Sequence, residues 1–164
     1  MTKIRRLSFV VLLLMLIGCE RPTNVRLESA NGIVFAITGD GSVGQLTVFS
    51  PRHREEASSP SDQRFAIWMI EPVNGYLNGP RIAQLESVKY GSVPIGYRQV
   101  IPADWHSPEP LLPGKTYLLT ISTVGATGFG RWFAVKDRGA EFVNLSGPCF
   151  QDNRGQWKRV NCSD

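Results

Sequence analysis

The sequence has little of what metal and catalytic centres are built from. It holds two histidines, His53 and His106, and three cysteines, and none of them stands in an H-x-x-x-H, C-x-x-C or H-E-x-x-H motif. A zinc site is therefore not predicted, because zinc ligands recur at these short spacings. A G-x-S-x-G nucleophile elbow and a Walker A loop are also missing, so neither a serine hydrolase nor a P-loop protein is indicated. We expect no cofactor and no catalytic residue.

One glycine-rich stretch matches a nucleotide-binding pattern by its letters alone. Residues 39–44 read Gly-Asp-Gly-Ser-Val-Gly, which fits G-x-G-x-x-G. A dinucleotide loop must open a helix whose N-terminus holds the pyrophosphate, whereas residues 45–49 alternate like a strand. We therefore interpret residues 39–44 as a glycine-rich hairpin turn.

Long apolar runs are scarce too, and only one exceeds eight residues. Residues 7–17 are apolar apart from Ser8, follow Lys3, Arg5 and Arg6, and are too few to span a bilayer as a mature helix. This order is typical of a secretion signal. Its last four residues, Leu16-Ile17-Gly18-Cys19, resemble the lipobox of bacterial lipoproteins. The alternative is an ordinary signal peptide or a membrane anchor that happens to contain a cysteine.

The lipobox resemblance implies that residues 1–18 are removed and that Cys19 is diacylated on sulfur. Two or three acyl chains make membrane attachment effectively permanent without a spanning helix. In bacteria with two membranes, Glu20 instead of Asp after the acylated cysteine favours the outer membrane, with the domain facing the periplasm. In a single-membrane organism the same anchor holds the domain on the outer side of the cell membrane.

The excess of basic residues largely disappears when the predicted signal peptide is removed. Of the 18 basic residues three lie before position 19, so 15 basic residues face 14 acidic ones in the remaining 146 residues. A nearly neutral exported domain is not expected to bind nucleic acid. Its size fits one domain with a single core.

The two remaining cysteines predict a disulfide. Cys149 and Cys162 would meet in an oxidising compartment and close a loop of 14 residues. The chain-entropy model gives such a loop on the order of 3 kcal/mol. Free thiols or metal ligands are the alternative.

The fold class follows from strand-like stretches. Seven of them, near residues 33, 45, 66, 86, 98, 118 and 132, predict an all-β sandwich of two sheets. In the central one Tyr117, Leu119 and Ile121 share one face. The stretch before it, residues 111–117, reads Leu-Leu-Pro-Gly-Lys-Thr-Tyr and resembles the tyrosine corner of fibronectin type III and immunoglobulin-like domains. The resemblance implies a hydrogen bond between the Tyr117 hydroxyl and the backbone upstream.

The order of these stretches predicts four segments. Residues 1–18 are the signal peptide, residues 19–30 a lipid-anchored tether and residues 31–136 the sandwich. Residues 137–164 form an extension with a further edge strand at 141–145 and a disulfide-closed hairpin. Residues 50–63, with two prolines and many polar residues, predict a mobile loop in which His53 is solvated.

Two stretches are candidates for binding a partner. In the first, Asp104, Trp105 and His106 lie on a proline-stiffened loop, which lowers the entropy lost on binding. In the second, the hairpin gathers three cations around an aromatic ring; its residues are Arg154, Trp157, Lys158 and Arg159. The alternatives are that Trp105 folds back as a lid on the core and that Trp157 caps an open sheet edge.

These observations favour a non-enzymatic envelope lipoprotein that binds a protein or glycan partner. An inhibitor that places its stiff loop in the cleft of an envelope hydrolase is a special case. The alternative from another class is an enzyme or metal-handling protein that uses His106, Asp104 and His53, which requires the two histidines to converge. A purely structural role in a larger envelope complex is the third hypothesis.

Overall fold

A computed structural model describes residues 20–29, 32–59, 62–103, 106–144, 148–152 and 157–161. Within these ranges the chain is mostly β, with eleven strands and two one-turn α-helices, α1 (His53–Glu56) and α2 (Ile82–Leu85). Two 3₁₀ helices, Gln63–Phe65 and Tyr76–Asn78, complete the described elements. The predicted signal peptide and the acylation site Cys19 lie outside the described residues.

Two antiparallel sheets hold nine of the strands. The smaller sheet has the order β1 (Asn24–Glu28), β2 (Val34–Thr38), β5 (Ser87–Lys89). The larger has the order β6 (Tyr97–Ile101), β4 (Ala66–Pro72), β3 (Ser42–Phe49), β7 (Thr116–Val124), β8 (Phe129–Lys136), β9 (Gly139–Phe142). One apolar core takes side chains from both sheets, so the predicted all-β architecture is confirmed.

The core follows the alternation of the strands. Tyr117, Leu119 and Ile121 are all buried and share the inner face of β7, as predicted. Trp68 is fully buried in β4 and meets Tyr90 edge-on at 5.1 Å between ring centroids. Phe133 lies 5.8 Å from Phe35 of the smaller sheet. These aromatic contacts join the two layers.

All seven predicted strands are present, but the predicted tether is wrong in its second half. Residues 24–28 form β1, which pairs with β2 along its whole length and buries Val25 in the core. The segment contributes a ladder of hydrogen bonds and an apolar side chain, and both are lost if it stays free. The sandwich thus starts at Asn24 and continues through the edge strand β9, which replaces the strand predicted at 141–145.

The glycine-rich segment 39–44 is not a hairpin turn. Strand β2 belongs to the smaller sheet and β3 to the larger, so the segment carries the chain from one layer to the other. Gly41 has φ +83°, and a Cβ there would lie 2.5 Å from the Val124 carbonyl oxygen. Only glycine fits this crossing without displacing backbone.

Part of the predicted mobile loop packs against the outer face of the larger sheet. His53, in α1, is fully buried and its ring lies 4.6 Å from Phe49 and 6.1 Å from Trp132. Phe49 and Met69 are buried on the outer face of the larger sheet. The expectation of a solvated His53 is therefore wrong, because this apolar face needs a cover and residues 50–57 supply it.

The tyrosine corner has the predicted hydrogen bond. The Tyr117 hydroxyl accepts from the Leu112 backbone N–H at 3.0 Å, and Gly114 between them has φ +76°. The bond ties the loop before β7 to a side chain of the core.

We expect Tyr117→Phe to lower the free energy of unfolding by about 1 kcal/mol, the net value of one hydrogen bond whose exposed donor can turn to water. Chemical denaturation of both proteins measures the difference. A loss above about 3 kcal/mol would contradict the picture of a single tie, since that is the upper range for a fully orphaned polar group.

The burial of a second tyrosine, Tyr97, leads us to expect that the folded protein loses stability at alkaline pH. Tyr97 is buried and its hydroxyl donates to the Val43 carbonyl at 3.0 Å, and burial raises its pKa to about 12. The unfolded chain ionises near pH 10, so this contribution is complete below pH 10 and is lost as the pH rises towards 12. The expected slope is about 1.4 kcal/mol per pH unit.

Denaturation between pH 9 and 11.5 measures this slope, and Tyr97→Phe is the matched variant. In the variant the free energy of unfolding should fall less steeply with pH, because the contribution of the Tyr97 hydroxyl to the slope is removed. An unchanged slope would show that Tyr97 ionises normally in the folded protein.

The predicted hairpin exists as β10 (Pro148–Asp152) paired with β11 (Trp157–Asn161), with Cys149 opposite Val160. The predicted disulfide involves Cys162, which lies outside the described residues.

Candidate binding groove

The sandwich has two different ends. At one, called the proximal end, β1 and β3 begin and β4 finishes; at the other, called the distal end, β3 finishes while β4 and β7 begin. The register fixes this polarity, since Ser42 of β3 stands opposite Val124 of β7 and Phe49 stands opposite Leu118.

A groove of about 590 Å³ opens at the distal end. Three chain segments meet there: the turn at 50–52, the start of β4 at 64–67 and the approach to the tyrosine corner at 109–117. The residues that line it are Ser50, Pro51, Arg52, Arg64, Phe65, Ala66, Ile67, Glu109, Pro110, Leu112, Lys115 and Tyr117.

The groove combines an apolar lining with a basic rim. Phe65, Ile67 and Tyr117 are half-buried or buried, whereas Arg52, Arg64 and Lys115 are exposed. Among the lining residues that the structure describes, Glu109 is the single acidic one. With Asp62 paired to Arg64 beside the groove, Arg52 and Lys115 leave the rim positive, which favours a negatively charged ligand, and the apolar walls favour one that also carries aliphatic or aromatic groups.

Arg64 is held in place by an acidic neighbour. Its Nε and Nη2 donate to the two carboxylate oxygens of Asp62 at 2.9 and 2.7 Å, and its guanidinium lies 5.4 Å from the Phe65 ring centroid. The hydrogen bonds from Arg64 hold the pKa of Asp62 well below its usual range. Asp62 is therefore charged at neutral pH and partly neutralises Arg64.

Two other cations of the rim differ from Arg64 in their described surroundings. Within the part of the chain that the structure describes, the side chains of Arg52 and Lys115 form no ion pair with an acidic residue. They are the groups best placed to meet an anionic ligand, because no internal salt bridge has to be broken first.

One wall of the groove is fixed by the core. Trp68 Nε1 donates to Gln99 Oε1 at 3.1 Å, and Gln99 Nε2 donates to the Pro102 and His106 carbonyls at 3.1 and 2.8 Å. The Tyr90 hydroxyl donates to the Glu109 carbonyl at 2.7 Å. These bonds hold both ends of the 102–109 loop, so the wall that carries Glu109 is rigid before any ligand arrives.

Of the loop residues predicted as a site, the structure describes His106, which is not among the described residues that line the groove. His106 is exposed and its carbonyl joins the Gln99 network, while Asp104 and Trp105 lie outside the described residues. Of the hairpin candidates, Trp157, Lys158 and Arg159 are on β11, opposite Asp152, Gln151 and Phe150. Arg154 lies outside the described residues.

The described contacts of the two histidines lie on opposite faces of the larger sheet. The His53 ring lies on the outer face, against Phe49. The His106 carbonyl is bonded to Gln99, whose side chain shares the inner face with Trp68. In the described ranges no three His, Cys, Asp or Glu side chains are close enough to hold a metal ion.

Sequence reasoning missed Arg52, Arg64 and Lys115. The first two fall in or beside the stretch interpreted as a mobile loop, and Lys115 falls inside the tyrosine corner, where attention goes to Tyr117. One signal was available in the sequence: the apolar residues Phe49, Ala57 and Phe65 lie within and on either side of this polar stretch, which indicates that the stretch packs against the fold.

Comparison with protein-family models, with curated proteins and with solved structures gives no match for this chain. None of the helices in the described residues is long and apolar enough to cross a membrane. The residues of the groove and their surroundings are therefore the basis for inferring function.

Proposed function

We propose that this protein is a lipid-anchored, non-enzymatic binding module of the bacterial envelope, and that its distal groove binds an acidic, partly apolar segment of a partner protein. The observation that carries the proposal is the groove itself, with Arg52 and Lys115 beside an apolar lining. Anchoring is supported by the signal-like residues 1–18 and the lipobox ending in Cys19.

The chemistry of the groove suits carboxylates on a peptide. An arginine guanidinium offers two parallel donors to a carboxylate, and a lysine supplies a mobile point charge. Phe65, Ile67 and Leu112 offer apolar contact, and burying such surface contributes about 25 cal/mol per Å². An acidic glycan satisfies the cations but leaves the apolar lining unused, so a peptide is favoured.

The rigid wall supports binding over catalysis. The loop from Pro102 to Glu109 is held at both ends by Gln99 and Tyr90, so little ordering entropy is lost when a ligand docks. Among the groove residues that the structure describes, Glu109 is the single carboxylate and no histidine or cysteine is present. The described lining therefore holds no paired base and nucleophile.

The sandwich is further proposed to be immunoglobulin-like. The orders β1-β2-β5 and β3-β7-β8 correspond to strands A-B-E and C-F-G of that class, and the Tyr117 hydrogen bond lies where the class has its tyrosine corner. Strand β6 departs from the pattern, since it enters the sequence between β5 and β7. The disulfide between Cys149 and Cys162 and the outer-membrane location stay proposals on the sequence alone.

Titration with model peptides tests the binding site. An isotope-labelled sample is followed by NMR while a peptide of alternating Glu and Phe is added, and a Lys and Phe peptide of equal length is the control. We expect saturable shifts at residues 64–67 and 110–117 with the acidic peptide alone. Shifts spread evenly over both sheets, or equal responses to both peptides, would contradict a groove selective for acidic segments.

A further inference from the structure

The proximal end exposes large apolar side chains. Ile95 is 100% exposed, Leu77 71%, Val73 57% and Tyr76 44%. These four residues are called the proximal apolar patch. Single exposed aliphatic residues are common on proteins, but four at one end of a small domain indicate a contact surface.

The register and loop contacts place the four residues at the same end of the sandwich. The Val73 N–H donates to the Gly96 carbonyl at 3.0 Å, which sets Val73 beside Ile95. Pro72, which precedes Val73, stands opposite Tyr97 at the start of β6. The ring of Tyr76 covers Gly44, where a Cβ would lie 2.8 Å from it.

The N-terminal segment is fastened to the same end. The Arg21 N–H donates to the Asp40 carboxylate at 2.8 Å, and the Asp40 N–H donates to the Arg21 carbonyl at 3.1 Å. The Thr23 N–H donates to the Thr127 carbonyl at 2.9 Å. The chain that leads back to position 19 therefore leaves the domain from the proximal end.

The free length before this fastening is very short. Two peptide links separate position 19 from Arg21, and they span about 7 Å at most. A lipid attached at position 19 consequently cannot hold the domain a domain's width above the headgroups. The sequence-based expectation of a tether of about twelve residues is therefore wrong in its first half as well as its second, because Arg21 and Thr23 are already bound to the fold.

We infer that the proximal end lies on the bilayer surface, with Val73, Leu77 and Ile95 at the boundary between headgroups and acyl chains. This placement rests on the proposed acylation of Cys19. Apolar side chains of peripheral proteins enter this boundary by about 5–10 Å. Tyr76, with an apolar ring and a polar hydroxyl, is a residue type enriched at membrane interfaces.

The charges of this end are compatible with a lipid surface. Arg81, exposed and beside Ser42 of β3, can meet lipid phosphates. Asp40 is bound by Arg21 and Glu71 by Arg98, which reduces repulsion from anionic headgroups. With the proximal end on the membrane, the distal groove points away from it, towards soluble or opposing envelope partners.

Photo-crosslinking in vesicles tests the placement. The protein is purified from the envelope as it is processed there and reconstituted in phosphatidylethanolamine and phosphatidylglycerol, with a diazirine residue at Ile95, at Leu77 or, as the matched control, at Leu112 of the distal end. We expect lipid adducts at Ile95 and Leu77 to exceed those at Leu112 by about tenfold, as the interfacial depth of docked side chains implies. Equal yields at the three positions would overturn the placement.

Two further readouts separate the anchor from the docking surface. Mass analysis of Cys19 and flotation of the same samples report acylation, and an unacylated, non-floating protein would overturn the proposed anchor and the placement with it. A floating, acylated protein that gives protein adducts at Ile95 in native envelopes would overturn the placement alone. The double variant L77D/I95D should still float and should give about tenfold fewer lipid adducts from a diazirine at Val73.

Discussion

Replacing Trp68 with alanine is expected to lower the free energy of unfolding by about 3–5 kcal/mol, the range for removing a large aromatic side chain from a core. Trp68 is fully buried, meets Tyr90 edge-on and donates its indole N–H to Gln99. The alanine variant therefore creates a cavity and also leaves the buried Gln99 oxygen without its donor. Since domains of this size are stable by only about 5–15 kcal/mol, much of the stability disappears.

Chemical denaturation at 25 °C measures this loss, and two variants resolve its causes. Trp68→Phe keeps most of the ring volume and removes the indole donor, so it isolates the hydrogen bond to Gln99. Trp132→Ala removes a tryptophan that is half-buried on the outer face and should cost less than Trp68→Ala. A loss below about 1 kcal/mol for Trp68→Ala, the average for any substitution, would refute the central place of Trp68 in the core.

Reversing two charges of the groove, in the variant R52E/K115E, is expected to weaken partner binding by about a hundredfold or more. Each charge-assisted hydrogen bond contributes about 1.5–3 kcal/mol, and the new carboxylates also repel an acidic ligand. Both side chains are exposed and free of ion pairs with other described residues, so folding should be unaffected. Affinity for the Glu and Phe peptide, or for a captured envelope partner, provides the measurement.

The matched control reverses two cations elsewhere. Arg81 and Lys89 are exposed away from the distal end and form no ion pair with other described residues, and R81E/K89E changes the net charge by the same amount. This control should bind like the wild type at about 0.15 M salt, where charges beyond about 8 Å are screened. If both double variants lose affinity equally, the effect is one of net charge and the groove is not the site.

The periodicity of the strands made the sandwich predictable. Alternation placed Tyr117, Leu119 and Ile121 on one buried face, and the Pro-Gly turn before them predicted the corner that the Tyr117 hydroxyl closes. These features depend on local geometry, which the sequence carries directly.

Features that depend on distant segments were not predictable in the same way. Strand β1 reads Asn-Val-Arg-Leu-Glu, in which Val25 and Leu27 alternate with polar residues as in a strand. Five residues are too short a pattern to separate a strand from a tether, and the pairing with β2 decides the outcome. His53 lies in a charged segment, and its burial follows from the apolar outer face formed by Phe49 and Met69. Local composition does not show that such a face exists and must be covered.

The groove illustrates the same limit for function. Its cations come from positions 52, 64 and 115, which the antiparallel pairing of β3 with β4 and β7 brings to one end. Their spacing in the sequence follows no motif, because the turn lengths between strands set it. Trp105 could be predicted as a binding candidate because an aromatic residue between prolines is recognisable from neighbouring positions in the sequence.

Photo-crosslinking in the native envelope tests the central claim most directly. A photoreactive residue is placed at Leu112 or Pro110 in the groove, and at Arg26 on the smaller sheet as the matched position. We predict a discrete protein adduct from both groove positions, none from Arg26, and loss of the adduct when R52E/K115E is added. An adduct from Arg26 or from Trp157 of the hairpin, with none from the groove, would contradict the claim and would place the partner on another surface.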